Sequence, residues 1–305
     1  MAKERETVLV AASASEELAA KVATHMGLPL TPVIKKTFAD GETYHAFPEA
    51  ISGKDLVIIG ATHSDSSYLE LLDLIQGGRY WNAATISVVI PFLGYSTMER
   101  AKPFSYEIPK GITRTRLLFQ TTPDFVAFVD LHSEAVLHSH GGGIHTHHIW
   151  TDDLVVEKIR ASGLTDFVLV SPDYGFSKRV ARLARLLDCP QTAADKDRFD
   201  TDKTIVSQIS SVVSGKTAII CDDMIRTGGS IIQTAERCLE AGAKDVMVMA
   251  THLVLAPGAR EKLAASPIKK VIGSDSYPGR RSDDFLDVYS LAPLLAEVIG
   301  QQLAH

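Results

Sequence analysis

The sequence predicts an α/β protein of two domains, each an open, mainly parallel sheet flanked by helices. Three observations lead there. Short apolar runs alternate with segments of helical periodicity along the whole chain, as in βαβ units. The runs are apolar at successive positions rather than at alternate ones, which is what strands buried on both faces require. Polar clusters directly follow several runs, and open parallel sheets gather ligands at those carboxyl ends. A length of 305 residues suits two domains of about 150 residues each. The boundary is expected between 149 and 150, giving domains 1–149 and 150–305.

Val8–Val10 reads as the first strand, and Ser13 or Ser15 can cap a helix that ends near Gly27. Val33–Phe38 and Thr43–Phe47 flank Asp40-Gly41, a dipeptide favoured in tight hairpin turns. Leu56–Ile59 is a strand. Tyr68, Leu71, Leu72 and Ile75 mark one helix face, with Gly77-Gly78 as its expected stop. Ile86–Ile90 leads into Pro91-Phe92-Leu93-Gly94-Tyr95. Arg100–Thr115 is polar, carries two prolines and reads as a mobile loop. Phe125–Val129 is a strand ending in Asp130-Leu131-His132. In the second half, Phe167–Val170 precedes Ser171-Pro172-Asp173-Tyr174-Gly175 and a helix through Val180, Leu183 and Leu187. Ala218–Cys221 and Val246–Met249 bracket a helix carrying Ile231, Ile232, Ala235, Cys238 and Leu239, stopped at Gly242. Val271-Ile272 and Val288 are short strands, and Leu294–Leu303 is the last helix.

Composition narrows the function. A net charge of −6 argues against a nucleic-acid surface, which would be basic. Cys189, Cys221 and Cys238 have neither metal-type spacing nor the number for a disulfide framework. No apolar run is long enough to span a bilayer, and no leader pattern opens the chain, so no membrane association and a cytoplasmic setting are expected.

Chemistry concentrates in Thr217–Ser230. Asp222 and Asp223 end an apolar strand, and Thr227-Gly228-Gly229-Ser230 opens a helix. Glycines admit positive φ and close ligand approach, and free amides at a helix start favour an anion. Two acids beside such a cradle suit the neighbouring hydroxyls of a sugar phosphate, so the local reading is a ribose 5-phosphate site. The plain alternative is a solvated strand end and an ordinary turn. No lysine follows the glycines as in a P-loop, and no dinucleotide fingerprint occurs. Asp173 and Gly175 precede Lys178-Arg179, which could hold a diphosphate or merely solvate a helix. His132 could ligate a metal or simply be hydrogen-bonded. Lys196 and Arg198 could neutralise charge during phosphoryl-type transfer or belong to a solvated loop. His138, His140, His145, His147 and His148 surround three glycines; a flexible, protonatable loop is the reading there, and zinc is left open.

Together these segments resemble the ribose-phosphate diphosphokinase (phosphoribosyl diphosphate synthetase) family along nearly the whole chain. The matching series is Phe38-Ala39-Asp40-Gly41-Glu42, Pro91–Tyr95, Asp130-Leu131-His132-Ser133, Val170–Asp173, Lys196-x-Arg198 and Asp222–Ser230. The resemblance implies two type I phosphoribosyltransferase-like domains with the active site between them. It implies Mg²⁺-dependent transfer of the β,γ-diphosphate of ATP to O1 of ribose 5-phosphate. Phe38, Asp40, Glu42, Glu99 and Arg100 would serve the adenine nucleotide, partly across a subunit boundary in a homo-oligomer, a dimer or hexamer. His132 and Asp173 would belong to the Mg²⁺ and diphosphate region, and Lys196 and Arg198 would be catalytic. Asp222 and Asp223 would hold the ribose hydroxyls, and Arg226, Thr227, Gly228, Gly229 and Ser230 the 5-phosphate.

Four departures stand against the family pattern. Thr97-Met98-Glu99 replaces an expected Arg-Gln-Asp, Arg226 stands where aspartate is usual, Phe176 replaces a glycine, and the histidine-rich segment is foreign. Changes at both substrate sites suggest two alternatives: the same chemistry on a larger 5-phosphoribosyl acceptor such as ADP-ribose, or a non-catalytic companion subunit.

Overall fold

The computed structural model of the chain describes residues 5–194 and 212–304. The first half runs through β1 (Thr7–Ala11), α1 (Glu16–Met26), β2 (Ile34–Thr37), β3 (Thr43–Ala46), β4 (Asp55–Ile59), α2 (Asp65–Tyr80), β5 (Thr85–Ile90), α3 (Lys110–Gln120), β6 (Phe125–Val129) and β7 (His145–Ile149). Its main sheet has the order β1-β4-β5-β6-β7, every pair parallel. β2 and β3 form the expected antiparallel hairpin about Asp40-Gly41. Leu56, Ile58, Val88 and Phe128 meet Leu71, Ile75 and Leu118 in one core. These apolar strands are buried on both faces, which is why they read as unbroken hydrophobic runs.

Three local expectations are corrected here. α2 does not stop at Gly77-Gly78 but continues to Tyr80. A Cβ on Gly78 would lie 2.7 Å from Leu56 Cδ2 and 2.9 Å from Ile86 Cδ1. The glycine lets the helix lie close against β4 and β5 instead of ending it. Arg100–Thr115 is not loop throughout, because α3 begins at Lys110 and buries Thr115, Leu118 and Phe119 at helical spacing. The histidine segment is not a loop throughout either. His145–Ile149 is an edge strand paired with β6, which places His145 and His147 beside the Phe125 ring.

The second half contains α4 (Asp152–Ala161), β8 (Phe167–Ser171), α5 (Ser177–Leu187), β9 (Gln191–Ala193), β10 (Thr217–Met224), α6 (Gly229–Glu240), β11 (Asp245–His252), α7 (Ala259–Ala264), β12 (Lys270–Ser274) and β13 (Leu286–Tyr289). Its sheet runs β13-β12-β11-β10-β8-β9, again with every pair parallel. Val168, Ile220, Val248 and Val271 pack with Ala235 and Leu263. β10 lies within the sheet, so its carboxyl end emerges between neighbours on either side.

The chain then closes with α8 (Ala292–Leu303), which packs against α1. One compact unit therefore comprises the stretch up to Ile149, Ser276–Pro278 and the stretch from Ser290; the other comprises Trp150–Asp275 and Gly279–Tyr289. The sequence alone instead places everything from 150 to 305 in the second domain. Tyr277 belongs to the first unit by ring contact, 5.0 Å from Phe92 and 5.6 Å from His63. No described helix is long and apolar enough to cross a membrane.

Candidate active site

The strand–turn–helix at β10 and α6 has the geometry its sequence implies. Asp223 is buried and Asp222 half-buried, with the Asp223 N–H donating to Asp222 Oδ1 at 2.9 Å. Burial, and then the charge of Asp223 with a smaller contribution from Asp173, pushes the Asp222 carboxyl well above the usual range. Cys221, just before it, is buried and its thiol is pushed up to about 12, so it is a packing residue rather than a thiolate. Gly228 sits at φ 78°, immediately before α6, and a Cβ there would come within 3.0 Å of Leu263. No side chain caps this helix start. Thr227 and Gly229 are exposed beside it and Ser230 is half-buried.

The loop is held from below by backbone. Ile225 N–H donates to the His252 carbonyl, Leu255 N–H to Ile225, and Ala256 N–H to Arg226, at 2.8–2.9 Å. Arg280 Nε donates to the Leu253 carbonyl at 2.6 Å, and its Nη2 reaches Val254 and Leu255. One guanidinium thus fastens the segment on which the phosphate-loop candidate rests. Nothing in the local sequence marks Arg280 for this role, because its partners are distant carbonyls.

Asp173 shapes a second turn. Its Oδ1 accepts the Phe176 N–H at 3.1 Å, and Ser171 Oγ donates to its carbonyl at 2.6 Å. Lys178 is exposed, but Arg179 is not a ligand-facing cation. It is buried, with Nε 2.9 Å from Asp152 Oδ1 and its guanidinium over the Trp150 and Phe176 rings. Phe176 therefore has a packing partner where the family pattern has glycine.

In the first unit, Asp130 is buried at φ 38°, a conformation that costs a non-glycine residue about 1–2 kcal/mol. His132 is exposed one residue beyond Leu131. The hairpin turn is closed by Phe38 N–H to the Glu42 carbonyl at 2.8 Å and Glu42 N–H to Asp40 Oδ1 at 3.1 Å. Phe38 is 42% exposed, with the Lys36 ammonium 4.8 Å from its ring centroid. Glu99 is largely buried against the exposed Arg100, Oε1 to Nε 3.3 Å. Where an arginine is missing at Thr97, α3 brings cations near the same turn. Arg114 and Lys110 lie over the Tyr95 ring, and the Tyr95 hydroxyl donates to Asp65 at 2.6 Å, which raises its pKa. Lys196 and Arg198 lie outside the described residues. Among the described residues no group of three or more His, Cys, Asp or Glu side chains is gathered as a metal cage.

Residues 7–109 match the N-terminal domain of ribose phosphate pyrophosphokinase, and residues 149–277 match a phosphoribosyl transferase domain. The ribose-phosphate pyrophosphokinase of Gloeobacter violaceus is 34% identical over 296 residues, covering 95% of this chain and 88% of its own. The chain belongs to the ribose-phosphate pyrophosphokinase family. The enzyme of that name from Thermosipho africanus is 34% identical, covering 96% of this chain and 93% of its own. A crystal structure of phosphoribosylpyrophosphate synthetase from Mycobacterium smegmatis superposes with a TM-score of 0.87 at 29% identity, covering 98% of this chain and 99% of that one. The two parallel-sheet units are thus the family's fold, and the expected family and fold class stand. Set against the family pattern, Arg226 is exposed and Thr97 lies in the 3-10 turn Ser96–Met98.

Proposed function

We propose that this chain is a ribose-phosphate diphosphokinase: it transfers the β,γ-diphosphate of ATP to O1 of ribose 5-phosphate, giving phosphoribosyl diphosphate and AMP. The observation that carries the reading is the uncapped start of α6, with Gly228 in the left-handed region and Asp222 and Asp223 at the adjoining strand end. Those amides suit the 5-phosphate and those carboxylates the ribose hydroxyls. Phe38, Asp40 and Glu42 on the hairpin, with Glu99 and Arg100, serve the nucleotide. The exposed Ile34, Phe38 and Tyr44 side chains of that hairpin favour completion by a second copy in a homo-oligomer. Lys196 and Arg198 stabilise the transferred group.

The residues present fit Mg²⁺. Its usual shell needs only one or two protein ligands besides waters and phosphates, so no protein cage is required. The mutual repulsion of Asp222, Asp223 and Asp173 is the kind a bound cation relieves. Asp173 and His132 are the candidates to hold it, and bound there it would supply positive charge against the phosphate oxygens. Relatives of one name across 95% of the chain favour neither a larger acceptor nor a non-catalytic subunit. The deciding assay measures AMP release from ATP and Mg²⁺ with ribose 5-phosphate and, separately, with ADP-ribose. Release with the first acceptor is expected; release only with the second, or with neither, would sink the reading.

Two further outcomes follow from the same loop. Asp222 holds its proton more tightly folded than unfolded, so its stabilising contribution is present at low pH. That contribution is lost as pH rises from about 4 through the elevated folded value. Asp222→Asn should therefore raise the stability of the ligand-free protein at neutral pH by about 1 kcal/mol, as relief at functional sites commonly does. The gain should vanish at strongly acid pH. Thermal melts across pH check both points, and a variant less stable at every pH would refute them. Arg280→Met removes charge-assisted bonds to three carbonyls, each worth about 1.5–3 kcal/mol. It should raise KM for ribose 5-phosphate about tenfold, with KM for ATP unchanged; equal shifts in both would refute a local effect.

A further inference from the structure

One imidazole in the histidine-rich segment is bonded at both nitrogens. Leu131 N–H donates to His148 Nε2 at 2.9 Å, so Nε2 carries no proton and the ring is neutral. Its single proton is on Nδ1, which donates to Glu134 Oε1 at 2.9 Å. The imidazole is 5% exposed, whereas Glu134 is 58% exposed on the solvent side of the contact. β7 also supplies the Ile149 carbonyl that accepts the Asp130 N–H at 3.0 Å. His132 lies between two points, Leu131 and Glu134, fastened to the same ring. Just upstream, buried Asp130 holds a left-handed backbone that persists only where its surroundings over-determine it.

We propose that His148 is a positioning residue: a neutral imidazole, fixed in its Nδ1–H tautomer by the Leu131 amide and steadied by Glu134, that clamps the Asp130–Ser133 turn and so sets the place of His132. The task needs one acceptor and one donor on a rigid scaffold, and no charge. A phenyl ring fills the space but offers neither; a glutamine amide offers both. The consequence for catalysis rests on the reading of His132 as part of the Mg²⁺ and diphosphate region. The hydrogen-bond arrangement itself does not.

The test uses the whole protein with His148→Phe, His148→Gln and Glu134→Ala. Ring ¹⁵N NMR of the parent should show a protonated Nδ1 and a bare Nε2, with coupling across the hydrogen bond to the Leu131 amide nitrogen. Glu134→Ala alters only an exposed side chain; the Leu131 amide should keep Nε2 bare, and only the Nδ1 signal should move as that N–H turns to water. In AMP-release assays His148→Phe should raise the Mg²⁺ concentration for half-maximal rate about tenfold, the scale seen when a metal ligand loses its supporting partner. KM for ribose 5-phosphate should stay unchanged, and His148→Gln should restore the parent's Mg²⁺ requirement. A protonated Nε2 in the parent overturns the clamp. So does an unchanged Mg²⁺ requirement in His148→Phe, or an equal defect in the Phe and Gln variants, which would mean packing alone. If the parent releases no AMP, the proposed function fails instead, and the NMR measurements still decide the clamp.

Discussion

Lys196→Ala should lower turnover by about 10²–10³-fold while the melting temperature hardly moves. The transferred diphosphoryl group spreads negative charge over its oxygens, and catalysis of such a transfer is mainly positioning and electrostatic neutralisation. A lysine ammonium is a compact charge suited to that task, and Arg198 adds a fork of donors two residues on. Removing the ammonium withdraws stabilisation that develops in the transition state, so kcat should fall more than either KM changes. A cation in a polar stretch contributes little to folding. Steady-state rates and a thermal melt of the same preparation check the pair of expectations. Unchanged kcat would take Lys196 out of the mechanism.

Gly228→Ala should cut kcat/KM for ribose 5-phosphate about 100-fold, the loss seen when a fixed backbone donor is removed. Two penalties coincide there. The φ of 78° disfavours any side chain by about 1–2 kcal/mol, and the added methyl would press on Leu263 at 3.0 Å. Leu263 is fully buried, so it has little room to yield. The turn would relax instead, turning its amides away from the phosphate. Nucleotide binding, assigned to the hairpin in the other unit, should be preserved, which fluorescence titration with an ATP analogue can verify. Gly229→Ala is the control, because a Cβ at that position meets nothing closer than Thr227 Oγ1 at 3.9 Å.

How far the sequence could be read depended on whether the deciding contacts were local. Asp222 through Ser230 was legible because strand, acids, glycine turn and helix follow one another without a gap, and each leaves a compositional mark. The hairpin about Asp40-Gly41 was legible for the same reason. Gly78 was misread because its neighbours, Leu56 and Ile86, belong to other strands; a helix stop and a close approach to a sheet look alike in sequence. α3 was hidden by polar residues around Arg114 and Arg116, and only its buried Thr115, Leu118 and Phe119 reveal the face. Arg179 could not be told from a ligand-binding cation until Asp152 and Trp150 were seen around it. His148 was masked by the histidines beside it. The return of α8 to α1 was not legible, because no local pattern encodes a pairing between segments so far apart in sequence.

That return bears on biosynthesis. The unit that contains β1 cannot be completed until α8 has left the exit tunnel, since α8 follows the whole of the other unit in sequence. The middle of the chain can settle into its own sheet earlier, reversing the usual amino-to-carboxyl order in which domains mature. A fragment ending at Ile149 would leave the surface of α1 that α8 covers open to water, and a nascent chain stalled before Ala292 would be in the same condition. Quality control in the cell would therefore meet a partly finished first unit until α8 has emerged.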